Sequence, residues 1–333
     1  MSPRKRIIPV FIPHAGCEHD CVFCNQRWIT GAVGEERGEG REESCDVGSQ
    51  VAEMAYYGGS FTAIPVERQN ELLESAQPFL SINPHNSIRV STRPDCIDES
   101  TLERLKGYGV ATVELGAQSM CDDVLALSGR GHTAYDVEHA AGLVISSGLS
   151  LILQMMTGLP GDTREKSIFT ARRFIELGPA GVRIYPTVVV RGTRLHELWE
   201  RGEYQEHTVE DAVVLCAELY ELFKEAGIPI IRLGLNPSEA LSAGGAVAGA
   251  YHPAFGELVY SRVYYNRAVA LLGGVAPGSA VTLVVARGCV SMMIGQHRCN
   301  IVALTEGFSL SSIKVIESDL DPGELVRVRY SII

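Results

Sequence analysis

The segment His14-Ala15-Gly16-Cys17-Glu18-His19-Asp20-Cys21-Val22-Phe23-Cys24-Asn25-Gln26 puts three cysteines on one short stretch, separated first by three residues and then by two. Such spacing lets a single loop turn three thiolates toward one centre. Iron–sulfur clusters take thiolate ligands, and an odd number from one loop leaves one metal corner without cysteine. Zinc is a competing reading, with Cys17, Cys21 and Cys24 joined by His14 or His19, although structural zinc usually draws on two separated ligand pairs. Three unrelated buried thiols are the remaining alternative.

The loop follows directly on a short apolar run at residues 7–13, the first of a series. Residues 51–59, 88–93, 112–118, 149–158, 181–190 and 230–235 are likewise short and rich in Val, Ile, Leu or Tyr, as buried strands are. Between them, residues 66–79, 99–108, 134–147, 164–177 and 209–226 carry apolar residues at three- and four-residue spacing, and Gly107, Gly148, Gly178 and Gly227 stand at or near the ends as stops. Alternating strands and helices predict an α/β fold, a parallel (βα) barrel that is partial or closed. Its site would lie at the C-terminal ends of the strands, where the cysteine loop sits. Residues 31–44, rich in Gly and charge with little to bury, read as a mobile surface insert, with a fragile helix as the alternative.

The texture changes after Leu235. Residues 236–250 are rich in Gly, Ala and Ser, residues 251–272 show a helical pattern, and residues 280–328 read as a small strand, helix and strand. Two domains are expected, residues 1–272 with the joining helix and residues 279–333.

Composition bounds the function classes. The chain has 333 residues, 46% hydrophobic and 21% charged, which is the balance of a globular protein and not of a disordered or collagen-like one. A net charge of -11 weighs against holding nucleic acid by bulk electrostatics. The N-terminal apolar run is too short and too broken by proline for a signal peptide, and no stretch approaches the ~18 apolar residues of a membrane span. Nine cysteines therefore point to a reducing cytoplasm, with no membrane association, where clustered thiols bind metal and the other six serve as apolar filler.

The cysteine loop, with Phe23 just before its last cysteine, closely resembles the signature of the radical S-adenosylmethionine superfamily. Further segments follow in order at successive strand ends: Tyr56-Tyr57-Gly58-Gly59-Ser60-Phe61-Thr62, Ser91-Thr92-Arg93-Pro94-Asp95, Val113-Glu114-Leu115-Gly116-Ala117-Gln118-Ser119 and Met156-Thr157-Gly158-Leu159-Pro160-Gly161-Asp162. Arg183-Ile184-Tyr185-Pro186 through Leu195, with Gly202-Glu203-Tyr204, is similar to the group of the Elongator catalytic subunit. The resemblance spans roughly residues 7–235.

It implies a [4Fe–4S] cluster held by Cys17, Cys21 and Cys24, whose fourth iron is chelated by S-adenosylmethionine. One electron from a flavodoxin- or ferredoxin-type reductant would cleave the sulfonium bond and give a 5′-deoxyadenosyl radical for hydrogen abstraction. Phe23 and Tyr185 would meet the adenine, Gly58, Gly59 and Ser60 the methionine amino group, and Arg93, Gln118 and Ser119 the carboxylate or ribose. A tRNA or RNA substrate is implied. The 98 residues after Leu235 are too few for that group's acetyltransferase domain and carry no acyl-coenzyme A signature. A small-molecule radical enzyme resembling oxygen-independent coproporphyrinogen oxidase and a non-catalytic iron–sulfur RNA-binding protein are the rival readings.

The C-terminal stretch 290–304, followed by Ile313-Lys314-Val315-Ile316, is similar to the core of a KH module, in which a Gly-x-x-Gly loop clamps a nucleic-acid backbone. Here the loop reads Gly295-Gln296-His297-Arg298, without the second glycine. Residues 279–333 carry five basic and five acidic side chains, so this part is neutral while the acidity lies elsewhere. Within the joining segment, His252, Glu257, Tyr260 and Arg262 are candidates for orienting a substrate; an ordinary packing helix is the alternative.

Overall fold

The computed structural model describes residues 6–12, 17, 21–25, 51–320 and 326–331, of which 327–331 are described by their backbone. His14, His19, Cys45 and the insert at residues 31–44 lie outside the described residues.

Seven parallel strands form one sheet: β1 (Arg6–Phe11), β2 (Ala52–Tyr57), β3 (Ser87–Thr92), β4 (Val110–Gln118), β5 (Ser150–Thr157), β6 (Gly181–Pro186) and, beyond β7 (Val188–Val190), β8 (Ile230–Leu233). They neighbour one another in chain order, and β1 and β8 do not pair, so the sheet is a curled half-barrel with two open edges and not a closed barrel. Side chains alternate between the two faces of a strand. Val90, Val113, Leu115, Leu153 and Ile184 occupy alternate positions and are fully buried. The positions between them are polar: Arg89, Ser91, Glu114, Gln154, Arg183 and Tyr185. That polar inner face sets this sheet apart from one that serves only as core.

The helices are delimited by local chemistry. Asp98 accepts from Thr101 N at 2.7 Å, Thr133 and Asp136 form a reciprocal capping box, and the hydroxyls of Thr163 and Thr193 accept from Lys166 N and His196 N. Each cap contributes about 1 kcal/mol to its helix. At the other end, Gly178 adopts φ 66° and stops the helix Arg164–Leu177.

Two predicted elements divide at proline. The run at 66–79 becomes the helices Val66–Ser75 and Gln77–Ile82, with Pro78 in the first turn of the second, where its missing N–H has no helical partner to lose. The run at 181–190 breaks at Pro186, which cannot donate to a ladder. β7 then leaves the main sheet and pairs antiparallel with β9 (Ala246–Gly249), a strand hidden in the Gly- and Ala-rich stretch.

The chain divides into two compact units. The first comprises Met1–Val209 with Leu222–Pro253, the second Glu210–Glu221 with Ala254–Ile333. In the second unit, β10 (Ala280–Ala286) lies between β11 (Ser312–Ser318), parallel to it, and β12 (Arg327–Ser331), antiparallel. The joining helix, Phe255–Leu272, belongs here and not to the half-barrel: Tyr264, Ala268 and Leu272 share a core with Val281, Leu283, Val285, Met293 and Leu304. The Gly295-Gln296-His297-Arg298 loop connects the helices Val290–Ile294 and Cys299–Gly307, and His297 and Arg298 take left-handed φ of 50° and 64°. Asn300 ties this loop region down, its Nδ2 donating to Ser261 O at 3.0 Å and Met293 O at 3.2 Å. Among the described residues, no helix is long and apolar enough to cross a membrane.

Candidate active site

A cavity of about 1170 Å³ opens on the inner face of the half-barrel. Small-molecule pockets usually hold ~300–1,000 Å³, so there is room for a cofactor and part of a substrate. Cys17, Cys21 and Cys24 all line it, together with Phe23, Gly58, Gly59, Ser60, Arg93, Gln118 and Tyr185. Residues far apart in the chain meet here because every parallel strand delivers its C-terminal end to the same rim.

The cysteine loop is held from two sides. Val22 N donates to Ser128 O at 3.1 Å, Leu195 N donates to Val22 O at 2.7 Å, and Cys24 N turns back to Cys21 O at 3.0 Å. Val22 is buried with Val189, Leu195 and Tyr204, and Phe23 packs against this group. Arg130 Nη1 donates to Cys21 Sγ at 3.1 Å while its Nη2 donates to Gly116 O at 2.6 Å. The guanidinium thus bridges the loop to the end of β4 and fixes where the Cys21 sulfur stands. Among the described residues, no three His, Cys, Asp or Glu side chains converge on a single metal-ion position. A cluster does not ask for that, because each thiolate meets a different iron.

Gly58 turns the chain at the end of β2 with φ 94°, a conformation that a Cβ would strain. Ser60 is committed sideways: its Oγ lies 2.9 Å from Thr92 Oγ1 and accepts from Arg93 N at 3.2 Å, tying the ends of β2 and β3 together. The Arg93 guanidinium grips both Asp95 oxygens, at 3.0 and 2.8 Å, and also donates to Arg130 O at 2.6 Å. Burial pushes the Asp95 carboxyl up, but Arg93 more than offsets this and holds it below the ordinary carboxylate value. Gln118 sits at a register shift at the end of β4 with φ 68°, and its Oε1 accepts from Gln154 Nε2 at 3.2 Å. Positive φ at a buried non-glycine residue marks local strain of the kind that clusters at functional sites.

Not every predicted residue joins the cavity. Ser119 Oγ instead lies 3.4 Å from Thr170 Oγ1 and accepts from Cys121 N, at the start of the following helix. His252 lies in the first unit and Glu257, Tyr260 and Arg262 in the second, and none of the four lines the cavity. Tyr260 meets Tyr220 edge-on at 5.5 Å, and Arg262 lies 5.2 Å above the Tyr265 ring.

Residues that sequence reading did not single out complete the site. Arg183 forms an ion pair with Glu114 at 3.0 Å and donates to Tyr57 Oη at 2.8 Å and Tyr185 Oη at 3.3 Å. Glu114 also faces Arg89 at 3.5 Å, and Arg89 bonds Glu53 through Nε and Nη2. Burial, and the Glu114 charge with it, raises both Tyr57 and Tyr185, so these phenols keep their protons. Ser91 Oγ, on the cavity lining, is buried without a hydrogen-bond partner among the described residues.

His132, behind Arg130, yields a pH prediction. Its Nε2 lies 3.1 Å from Ala117 O, and burial, then the Arg130 charge, pushes its pKa from 6.5 down to about 4. The unfolded chain takes up this proton first as pH falls. Its contribution is therefore complete above pH 6.5 and lost progressively toward about 4, on the order of 3 kcal/mol at 1.36 kcal/mol per unit. Urea unfolding of His132→Gln at pH 7 and pH 4.5 is expected to show a smaller loss of stability between the two than the parent chain shows.

Comparison with known proteins agrees with this architecture. The Radical SAM superfamily description matches residues 11–173, and the Radical_SAM C-terminal domain matches residues 179–265. The chain is 36% identical over 155 residues to the tRNA uridine(34) acetyltransferase of Methanocaldococcus infernus, covering 44% of this chain and 28% of that protein. It is 32% identical over 214 residues to Elongator complex protein 3 of Homo sapiens, covering 55% and 39%. The match thus spans less than half the length of these relatives. The solved structure of the archaeal M. infernus Elp3 with an N-terminal deletion shares the fold, with a TM-score of 0.61, 23% identity, and coverage of 79% of this chain and 63% of that one. With both family regions matched in order and a half-barrel whose cavity gathers three cysteines, the chain belongs to the radical S-adenosylmethionine superfamily and resembles the Elongator catalytic subunit.

Proposed function

We propose that this chain is a radical S-adenosylmethionine enzyme that modifies a uridine of transfer RNA. The observation that carries the reading is the common cavity of Cys17, Cys21 and Cys24 with Gly58, Arg93, Gln118 and Tyr185. The cofactors of the superfamily are a [4Fe–4S] cluster and S-adenosylmethionine, and the residues present suit them. Three thiols from one anchored loop, with an Arg130 N–H on Cys21 Sγ, are the donor set of a cluster that leaves one iron to the cofactor. When bound, these groups supply a carbon-centred radical, formed at the expense of one electron from a flavodoxin- or ferredoxin-type protein.

The protein's part is placement. Gly58 and Gly59 let a ligand approach the backbone, and Phe23 and Tyr185 offer ring surface for the adenine. Arg93, fixed by Asp95 through Nε and Nη2, also holds Arg130 in position in this reading. The polar inner wall of Glu114, Arg183, Tyr57 and Tyr185 is pre-assembled and does not need to reorganise around a substrate.

The RNA assignment draws on the names of the relatives and on the KH-like stretch 279–333, whose five basic and five acidic side chains leave it neutral. It is tested by incubating the reconstituted enzyme with S-adenosylmethionine and transfer RNA deuterated in its uridines. Deuterium in the 5′-deoxyadenosine product is the expected result. Cofactor cleavage unaffected by transfer RNA, with no label transferred, would return the reading to a small-molecule substrate.

A further inference from the structure

Five guanidinium groups line the cavity, Arg93, Arg130, Arg183, Arg194 and Arg232, in a chain whose net charge is -11. Two of them are neutralised in place, Arg93 by Asp95 and Arg183 by Glu114 with two phenols, and the terminal amino groups of Arg130 are committed to Cys21 Sγ and Gly116 O. Arg194 is exposed, with Glu197 one turn on in the same helix and also lining the cavity.

Arg232 differs from all of these. It is half-buried on β8, its Nε donates to Gly234 O at 3.1 Å, and its two terminal amino groups meet no carboxylate among the described residues. Removing a guanidinium from water without completing its hydrogen bonds is costly, and its planar fork fits the oxygens of a phosphate or carboxylate. Strand register sets Arg232 directly beside Arg183 on β6, so two cations stand side by side on the cavity wall. Only one of them has a carboxylate.

Position adds to the argument. β8 and β1 are the two open edges of the half-barrel, and the cysteine loop follows β1. Phe11 and Tyr57 line the cavity with ring centroids 6.3 Å apart and offer aromatic surface to a base.

We infer that Arg232, with Arg183 beside it, anchors a phosphate of the substrate nucleotide at the β8 edge and so directs its nucleoside across the cavity toward the cysteine loop. This rests on the RNA reading above. The anchor itself is tested separately, with uridine and uridine 5′-monophosphate as probes of the reconstituted enzyme in equilibrium dialysis.

The parent enzyme is expected to bind the monophosphate about tenfold or more tightly than uridine, the effect of one charge-assisted contact. Arg232→Gln is expected to bind the two alike, and Arg232→Lys, a point charge without the fork, to keep part of the preference. Equal binding of both probes by the parent, or a preference that survives in Arg232→Gln, overturns the inference. Should Arg232→Gln fail to fold, a full preference in Arg232→Lys overturns the two-pronged grip. A preference that depends on Arg232, together with no deuterium transfer from transfer RNA, leaves the anchor standing and removes the RNA reading. The converse outcome does the reverse.

Discussion

Replacing any one of Cys17, Cys21 or Cys24 by alanine is expected to abolish both iron–sulfur loading and S-adenosylmethionine cleavage. The three thiols come from one loop and share one cavity, and a cluster left with two thiolates exposes a second iron to solvent and oxidant. Among the described residues, no neighbouring group can take the place of a missing thiolate. Arg130 bonds Cys21 as a donor and has no lone pair for iron, and Cys96 and Cys121 are not on the cavity wall. Iron and acid-labile sulfide, measured after anaerobic reconstitution, are expected to fall to the blank in each of the three variants. Cys289→Ala, in the second unit, serves as control and is expected to load like the parent chain. Full loading of a Cys21→Ala protein would contradict the assignment.

The second large effect is expected at Glu114, and it is one of stability. Its side chain is only 4% exposed and lies between Arg183 at 3.0 Å and Arg89 at 3.5 Å. Burial raises the Glu114 carboxyl, and the two guanidiniums offset only part of that rise. Arg89 retains Glu53 when Glu114 is lost, but Arg183, whose side chain is 12% exposed, is left without a carboxylate and with phenols for company. Breaking a buried pair from one side costs ~3–5 kcal/mol, so Glu114→Ala is expected to lower the melting temperature by roughly 10 °C. A double variant, Glu114→Leu with Arg183→Met, is expected to recover most of that loss, because no charge is then left alone. Calorimetry of the two variants decides it. A single variant within about 1 kcal/mol of the parent would put this pair in the class of solvent-screened ion pairs.

The backbone plan is legible in the sequence because the outer face of each strand is apolar and the runs stay short, with helical periods between them. The cysteine loop is legible because its meaning is local, three side chains within eight residues. Arg130 is not legible, since its partner Cys21 lies 109 residues away and only the fold brings them together. Its flanking glycines, Gly129 at φ 65° and Gly131 at φ 74°, were the available signal of a shaped turn. The inner wall is hidden for the same reason. Glu53, Arg89, Glu114 and Arg183 each interrupt an apolar run as a single polar residue, and only strand order shows that they form one chain of ion pairs. Ser119 sits next to Gln118 but is spent on the following helix, a difference of one residue that alternation along a strand end decides. The helix Phe255–Leu272 reads as a connector by position, whereas its buried residues share a core with strands that come later in the chain.

The central claim is that the cavity built around Cys17, Cys21 and Cys24 binds and reductively cleaves S-adenosylmethionine. Its most direct measurement is chromatography of the products after anaerobic reconstitution of the full chain, reduction with dithionite and addition of S-adenosylmethionine. The predicted result is methionine and 5′-deoxyadenosine in equal amounts, faster with transfer RNA than without it. A chain that holds its full complement of iron and sulfide, is reduced, and yields no 5′-deoxyadenosine with or without transfer RNA would contradict it.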